Sequence, residues 1–224
     1  MKNSRKLAIK NLKGSDEKMR VSWMLKNMSE NKTFKYLLKN ERLGNQNILL
    51  KSLQEKYKTY RNQWRGNAKF AIKNHLIGNK FNESDIKPLC IDIETASVCD
   101  LACPHCYRQF IATPDKIMSK ELAFKIIDQA SKLNVPSMKF NWRGEPLLNP
   151  FLPEIIDYAK KKGVLETIIN TNATKLNSDM AKKMIYSGLD LMVYSFDGGT
   201  KKSYEKMRPG RFKKNNFNEI YENI

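Results

Sequence analysis

Leu89 to Cys106 read LCIDIETASVCDLACPHC. The first half, LCIDIETAS, alternates apolar and polar residues as a half-buried β-strand does. The second half sets Cys99, Cys103 and Cys106 in a Cys-x3-Cys-x2-Cys loop. Three thiols are one short of the four protein ligands of a closed metal site. A loop with this spacing can instead wrap three corners of an iron–sulfur cube, one sulfur to each iron. The fourth cysteine, Cys90, stands at the start of the strand, and at about 3.3 Å per residue the strand holds it roughly 20 Å from the loop. It is expected to be a buried, inert thiol. The cube's fourth iron is then open to something that is not protein. Zinc is the other reading, with His105 completing a Cys3His set. Against it, His105 adjoins Cys106, and neighbouring side chains of an extended loop diverge.

Working outward, the chain alternates strands and helices. SKELAFKIIDQASKLN is a helix capped by Ser119, with Leu122, Ile126 and Leu133 on one apolar face. SMKFNW is a strand, PEIIDYAKKKG a helix opened by Pro153 and closed by Gly163, and LETIINTN a strand. SDMAKKMIYSG is a helix ending at Gly188, and LDLMVYSFDGG is the last strand. Such alternation predicts right-handed βαβ units and an α/β fold with a parallel sheet, whose ligands bind beyond the C-terminal strand ends. The polar clusters CDLACPHC, RGEP, NTNAT and SFDGG each follow a strand, so they share one rim.

Residues 1–85 have another character. Trp23, Met24 and Met28, then Phe34, Leu37 and Leu38, then Leu49, Leu50 and Leu53 continued by Tyr57, Tyr60 and Trp64, recur at helical spacing. Several short amphipathic helices are expected, with Gly44 and Gly66 as stops and a linker over GNKFNESDIKP, Gly78 to Pro88. His75 reads as structural. The chain carries a net charge of +18, and residues 1–89 account for +14 of it, with 21 Lys and Arg against 7 Asp and Glu. A basic arm of this kind meets acidic partners or is simply a solvated lysine-rich face. No nucleic-acid-binding motif accompanies it, so nucleic acid is not the expected partner. No run approaches the roughly 18 apolar residues of a membrane span, and no secretory signal opens the chain. Clustered rather than paired cysteines fit a reducing compartment, which predicts the cytoplasm.

CDLACPHCY resembles the cluster loop of the radical S-adenosylmethionine (radical SAM) superfamily, and the resemblance runs from about Leu89 to the C-terminus. It implies a partial (β/α) barrel over residues 86–224, incomplete, behind the N-terminal helical extension. It also implies a maturase-like core of the type that carries auxiliary clusters farther on. The implied cofactors are a [4Fe–4S] cluster on Cys99, Cys103 and Cys106 and S-adenosylmethionine on the open iron. Reduction of the cluster then cleaves that cofactor to a 5′-deoxyadenosyl radical, which abstracts hydrogen from a substrate, a peptide or a carbohydrate-like metabolite. A low-potential donor such as flavodoxin or ferredoxin is implied as the electron source.

The remaining site residues are carried by the same resemblance. His105 stands where the family places an aromatic residue against adenine. RGEP is similar to Gly-Gly-Glu-Pro, which implies Glu145 as partner of the methionine ammonium, with Gly144 permitting close approach; Arg143 departs from the pattern. VYSFDGG implies Ser195 and Asp197 near the ribose, although Asp197 could instead cap the next helix. KMRPG implies Arg208 near the cofactor carboxylate. Thr171 and Asn172 face cofactor or substrate, and Glu94 lines the cavity or pairs with a basic neighbour. NFNEIYENI reads as a helix cut short, so the chain is expected to be a fragment lacking two strands. A different class remains beside the enzyme: a metal-stapled basic module that binds RNA or phosphate without catalysis.

Overall fold

In the computed structural model, residues 16–40, 45–76 and 87–224 are described. They fall into two compact units, Met1–Ile86 and Lys87–Ile224. Gly44 and most of the expected linker, 78–86, lie outside the described residues, as does the side chain of His75.

The first unit is helical: α1 (Asp16–Lys26), a 3-10 turn (Met28–Glu30), α2 (Lys32–Leu38) and α3 (Gln46–Leu76). Its buried apolar residues are Met24, Met28, Phe34, Leu53, Tyr57 and Tyr60. The Asn31 side chain caps α2 by accepting from the Thr33 N–H at 2.9 Å. Two expectations need correction. Gly66 does not end a helix but lies inside α3, at a cost of about 1 kcal/mol relative to alanine that a helix this long absorbs. Trp23 and Trp64 are exposed, Trp64 lying edge-on to Tyr60 with the Arg61 guanidinium over its ring.

The second unit holds four parallel strands in the order β1-β2-β3-β4: β1 (Cys90–Asp92), β2 (Ser137–Lys139), β3 (Glu166–Thr171) and β4 (Leu191–Tyr194). Helices α4 (Lys120–Lys132), α5 (Leu152–Lys161) and α6 (Ser178–Ser187) form the crossovers. Sequential neighbours joined by helical crossovers wind in one direction, as a barrel wall does, rather than reversing at a switch point. Packing of α4 on α5 and of α5 on α6 agrees with a single helical layer. Ile127, Met138, Phe140, Ile155, Ile156 and Ile169 are wholly buried between helices and sheet, each contributing about 1.5–3 kcal/mol of apolar transfer.

Ser119 caps α4 as expected, accepting from the Leu122 N–H. The inner face of α4 differs by one position, however. Ala123, Ile127 and Ala130 are buried, whereas Leu122 and Leu133 are exposed and Ile126 is partly covered. Two alanines let the helix axis approach the sheet, a register that a search for large apolar residues misses. After β4, α7 (Lys201–Met207) and α8 (Phe217–Asn223) follow; Phe196 stacks on Tyr204 of α7, and Phe217 of α8 meets both rings at an angle. Thr200, not Asp197, caps α7.

Candidate cluster and cofactor site

The loop after β1 is tied down on both flanks. Upstream, Ser97 N–H donates to the Lys116 carbonyl and Met118 N–H to that of Thr95, both at 2.9 Å. Between the cysteines, Ala102 N–H donates to the Pro209 carbonyl and Arg211 N–H to that of Asp100, both at 2.8 Å. So held, Cys99, Cys103 and Cys106 line one cavity of about 310 Å³, together with Arg108, Thr113, Gly144 and Arg211. Gly144 has φ +66, and a Cβ there would stand 2.2 Å from the Ala96 carbonyl oxygen and 2.6 Å from that of Val98. The close approach that glycine was expected to permit is therefore made first to the cysteine loop's own backbone. Glu145 N–H completes the contact, donating to the Val98 carbonyl at 2.8 Å.

Glu145, the expected partner of the methionine ammonium, is 2% exposed, and its carboxylate is bonded within the chain. One oxygen accepts from the Leu147 N–H at 3.0 Å and the Thr171 hydroxyl at 2.7 Å; the other accepts from the Asn172 N–H at 2.7 Å. Burial raises its pKa to about 7, against the pull of these three donors. Asn172 passes the connection on, its Nδ2 donating to Asp100 Oδ1 at 2.9 Å and to Cys99 Sγ at 3.8 Å. Thr174 holds the other oxygen of Asp100 at 2.6 Å. Thr171 and Asn172 thus join the segments after β2 and β3 to the thiol loop.

A second chain of contacts runs through Asp197 and Arg208. Asp197 Oδ2 accepts from an Arg208 Nη and lies 3.2 Å from His105 Nε2. The other Arg208 Nη donates to Cys103 Sγ at 3.8 Å, and Nε is buried with no acceptor among the described residues. Arg208 is thus engaged by a carboxylate of this chain and by a thiol, with Nε still unspent. His105, expected where the family has an aromatic residue, meets Asp197. Asp197 Oδ1 and the half-buried Ser195 hydroxyl make no hydrogen bond among the described residues, so both remain available to a ligand. Glu94 pairs with Arg143 through two 2.6 Å bonds, the basic neighbour in the position where the resembled motif has glycine.

Sequence reasoning missed Asp100, Asp115 and Arg211. Asp115 accepts from both Arg108 and Arg211, and those bonds hold its carboxyl below the usual range. Asp100 carried a readable signal, lying inside the cysteine spacing. Asp115 carried none, since Arg211 is 96 residues away.

Burial pushes the Cys99 thiol up to about 12 and also raises that of Cys103, where Arg208 pulls the other way. Metal ligation therefore has to displace protons at neutral pH. Among the described residues no three His, Cys, Asp or Glu side chains gather around a point as one zinc ion requires. A cubane asks less, since its thiolates bind separate irons. Three sulfurs on one cavity, with a glycine-lined wall, fit that group.

Residues 93–224, more than half of the chain, match the model of the radical SAM superfamily. The chain belongs to this superfamily. Its cofactors are a [4Fe–4S] cluster and S-adenosylmethionine. This radical SAM chain is 34% identical over 128 residues to an Fe-coproporphyrin III synthase of Methanosarcina barkeri, covering 57% of the chain and 31% of that protein. It is 33% identical over 108 residues to a tungsten-containing aldehyde ferredoxin oxidoreductase cofactor-modifying protein of Pyrococcus furiosus, covering 47% and 30%. The chain thus matches about a third of the length of these relatives. The solved structure of native anSMEcpe with bound AdoMet has the same fold, with a TM-score of 0.52 at 21% identity, over 61% of this chain and 39% of that one. No helix among the described residues is long and apolar enough to cross a membrane.

Proposed function

We propose that this chain is the cofactor-binding part of a cytoplasmic radical SAM enzyme acting on a small molecule or a peptide. The reading rests on one observation above others: Cys99, Cys103 and Cys106 share one cavity, and none of the described residues that line it with them is a fourth Cys, His, Asp or Glu. When bound, the cluster and S-adenosylmethionine would supply a carbon radical able to take hydrogen from unactivated C–H bonds, after one electron from a low-potential donor such as flavodoxin or ferredoxin.

The residues divide the remaining work. The three cysteines hold the cluster. Gly144 keeps the wall of the cavity thin enough for the backbone of RGEP to face a ligand. Glu145 fixes that backbone against Thr171 and Asn172 rather than meeting an ammonium itself. Ser195 and the free oxygen of Asp197 offer partners to hydroxyl groups, with His105 and Arg208 orienting the carboxylate. Arg143 and Glu94 neutralise each other at the cavity's edge, which spares a substrate a lone charge there.

Anaerobic reconstitution of the full-length protein tests the reading. About four irons and four sulfides per chain are expected, with an electron paramagnetic resonance spectrum that changes on adding S-adenosylmethionine. Dithionite should then release 5′-deoxyadenosine slowly without substrate. A chain that takes up zinc and no iron would favour the metal-stapled binding module instead.

A further inference from the structure

Two of the three cysteine sulfurs in the cavity meet a side-chain donor, and the two donors differ in charge. The Arg208 guanidinium reaches Cys103 Sγ and the Asn172 amide reaches Cys99 Sγ, each at 3.8 Å. Cys106 Sγ has no side-chain donor among the described residues. Neither donor belongs to the cysteine loop: Arg208 follows α7, and Asn172 follows β3. Each is also held by a carboxylate. Asp197 takes the Arg208 Nη that does not face sulfur, and Asp100 shares the Asn172 amide. Arg208 is 9% exposed, and its Nε is a buried donor with no acceptor among the described residues. Asp197 compensates the charge of this buried guanidinium, but one of its N–H groups stays unspent beside the thiol loop.

We propose that Arg208 and Asn172 are positioning residues that set the reduction potential of the cluster, Arg208 by charge and hydrogen bond at the Cys103 corner and Asn172 by a neutral hydrogen bond at the Cys99 corner. This rests on the reading that the three cysteines hold a cubane. Three thiolates on a [4Fe–4S] core of charge +2 give a net of −1, and reduction by one electron makes it −2. A donor to sulfur or a nearby cation stabilises the more negative state and so raises the potential. Removing it lowers the potential, and the charged donor counts for more. Asp197 acts with the opposite sign, because its carboxylate offsets part of the guanidinium charge. Two residues in direct contact thus pull the potential in opposite directions.

The test is a redox titration of the reconstituted, full-length protein followed by electron paramagnetic resonance, with iron content measured on each sample. Arg208→Gln is expected to lower the midpoint potential most, Arg208→Lys and Asn172→Ala less, and Asp197→Asn to raise it. Loaded variants whose midpoints equal that of the wild type would overturn the proposal. So would Arg208→Gln and Asp197→Asn shifting in the same direction. If Arg208→Gln does not take up iron, the opposite shifts of Asp197→Asn and Asn172→Ala decide. Failure of all three variants to load would mean that these residues merely hold the loop, and the proposal falls. A wild-type protein that binds no iron would instead refute the cluster reading beneath it.

Discussion

The two ends of the four-stranded sheet each bury a carboxylate, and each carries cysteine. At the far end, Lys160 is wholly buried, donating to the Leu165 carbonyl at 2.9 Å and to Asp190 at 2.8 Å. The same Asp190 oxygen accepts from the N–H and hydroxyl of Thr167. At the rim, Glu145 is as deeply buried, but its partners are two backbone N–H groups and a hydroxyl. Burial raises both carboxyls; only at Asp190 does a cation pull the other way. The difference separates a stabilising device from a working site. Where nothing has to bind, charge is compensated; where loops must be braced around a ligand cavity, a carboxylate is held by neutral donors alone. The cysteines follow the same division. Cys90, half-buried at the far end rather than fully buried as expected, has its thiol raised to about 11 by burial and neighbouring carboxylates. It has no second thiol beside it, whereas the rim gathers three.

Cysteine substitution is the most severe way to break this comparison. Cys99→Ala, Cys103→Ala or Cys106→Ala should each abolish cluster uptake, whereas Cys90→Ala should leave iron content unchanged. Equal loss in Cys90→Ala, measured by iron analysis, would erase the distinction between the ends. Lys160→Met comes next. It strands Asp190 without its cation and should lower the unfolding free energy in urea by about 3–5 kcal/mol, while the cluster spectrum of the folded protein stays unaltered.

The smallest effect sharpens the contrast at the rim. Glu145 has a folded pKa of about 7, above its ordinary value of 4.5. The folded state therefore holds the proton over a range where the unfolded chain has lost it. Stability from this group is fully present below pH 4.5 and is lost as pH rises through about 7. Cluster-free wild type should be less stable at pH 8 than at pH 5 by a margin that Glu145→Gln reduces. Identical pH dependence of the two in urea titrations would show that burial does not govern this carboxyl.

Strand–helix order, the shared rim and the thiol loop were all legible in LCIDIETAS, SMKFNW, LETIINTN and the cysteine spacing, because each is a local pattern of period or ligand type. The face of α4 was legible only to within one residue. Apolar size does not reveal that Ala123 and Ala130 draw the helix onto the sheet.

By itself the sequence determined which elements form and which residues could bind a metal, since periodicity, capping and ligand chemistry act over a few neighbouring residues. Only the tertiary structure decided what the polar residues of the rim do. Glu145 turned inward because Thr171 and Asn172 offer it donors from the next strand. Arg208 turned toward Cys103 because Asp197 holds its other arm, and Arg143 met Glu94 across 49 residues of chain. A carboxylate or guanidinium in a low-dielectric rim goes to whatever opposite charge or donor the fold brings within about 3 Å, and sequence spacing carries no record of that distance.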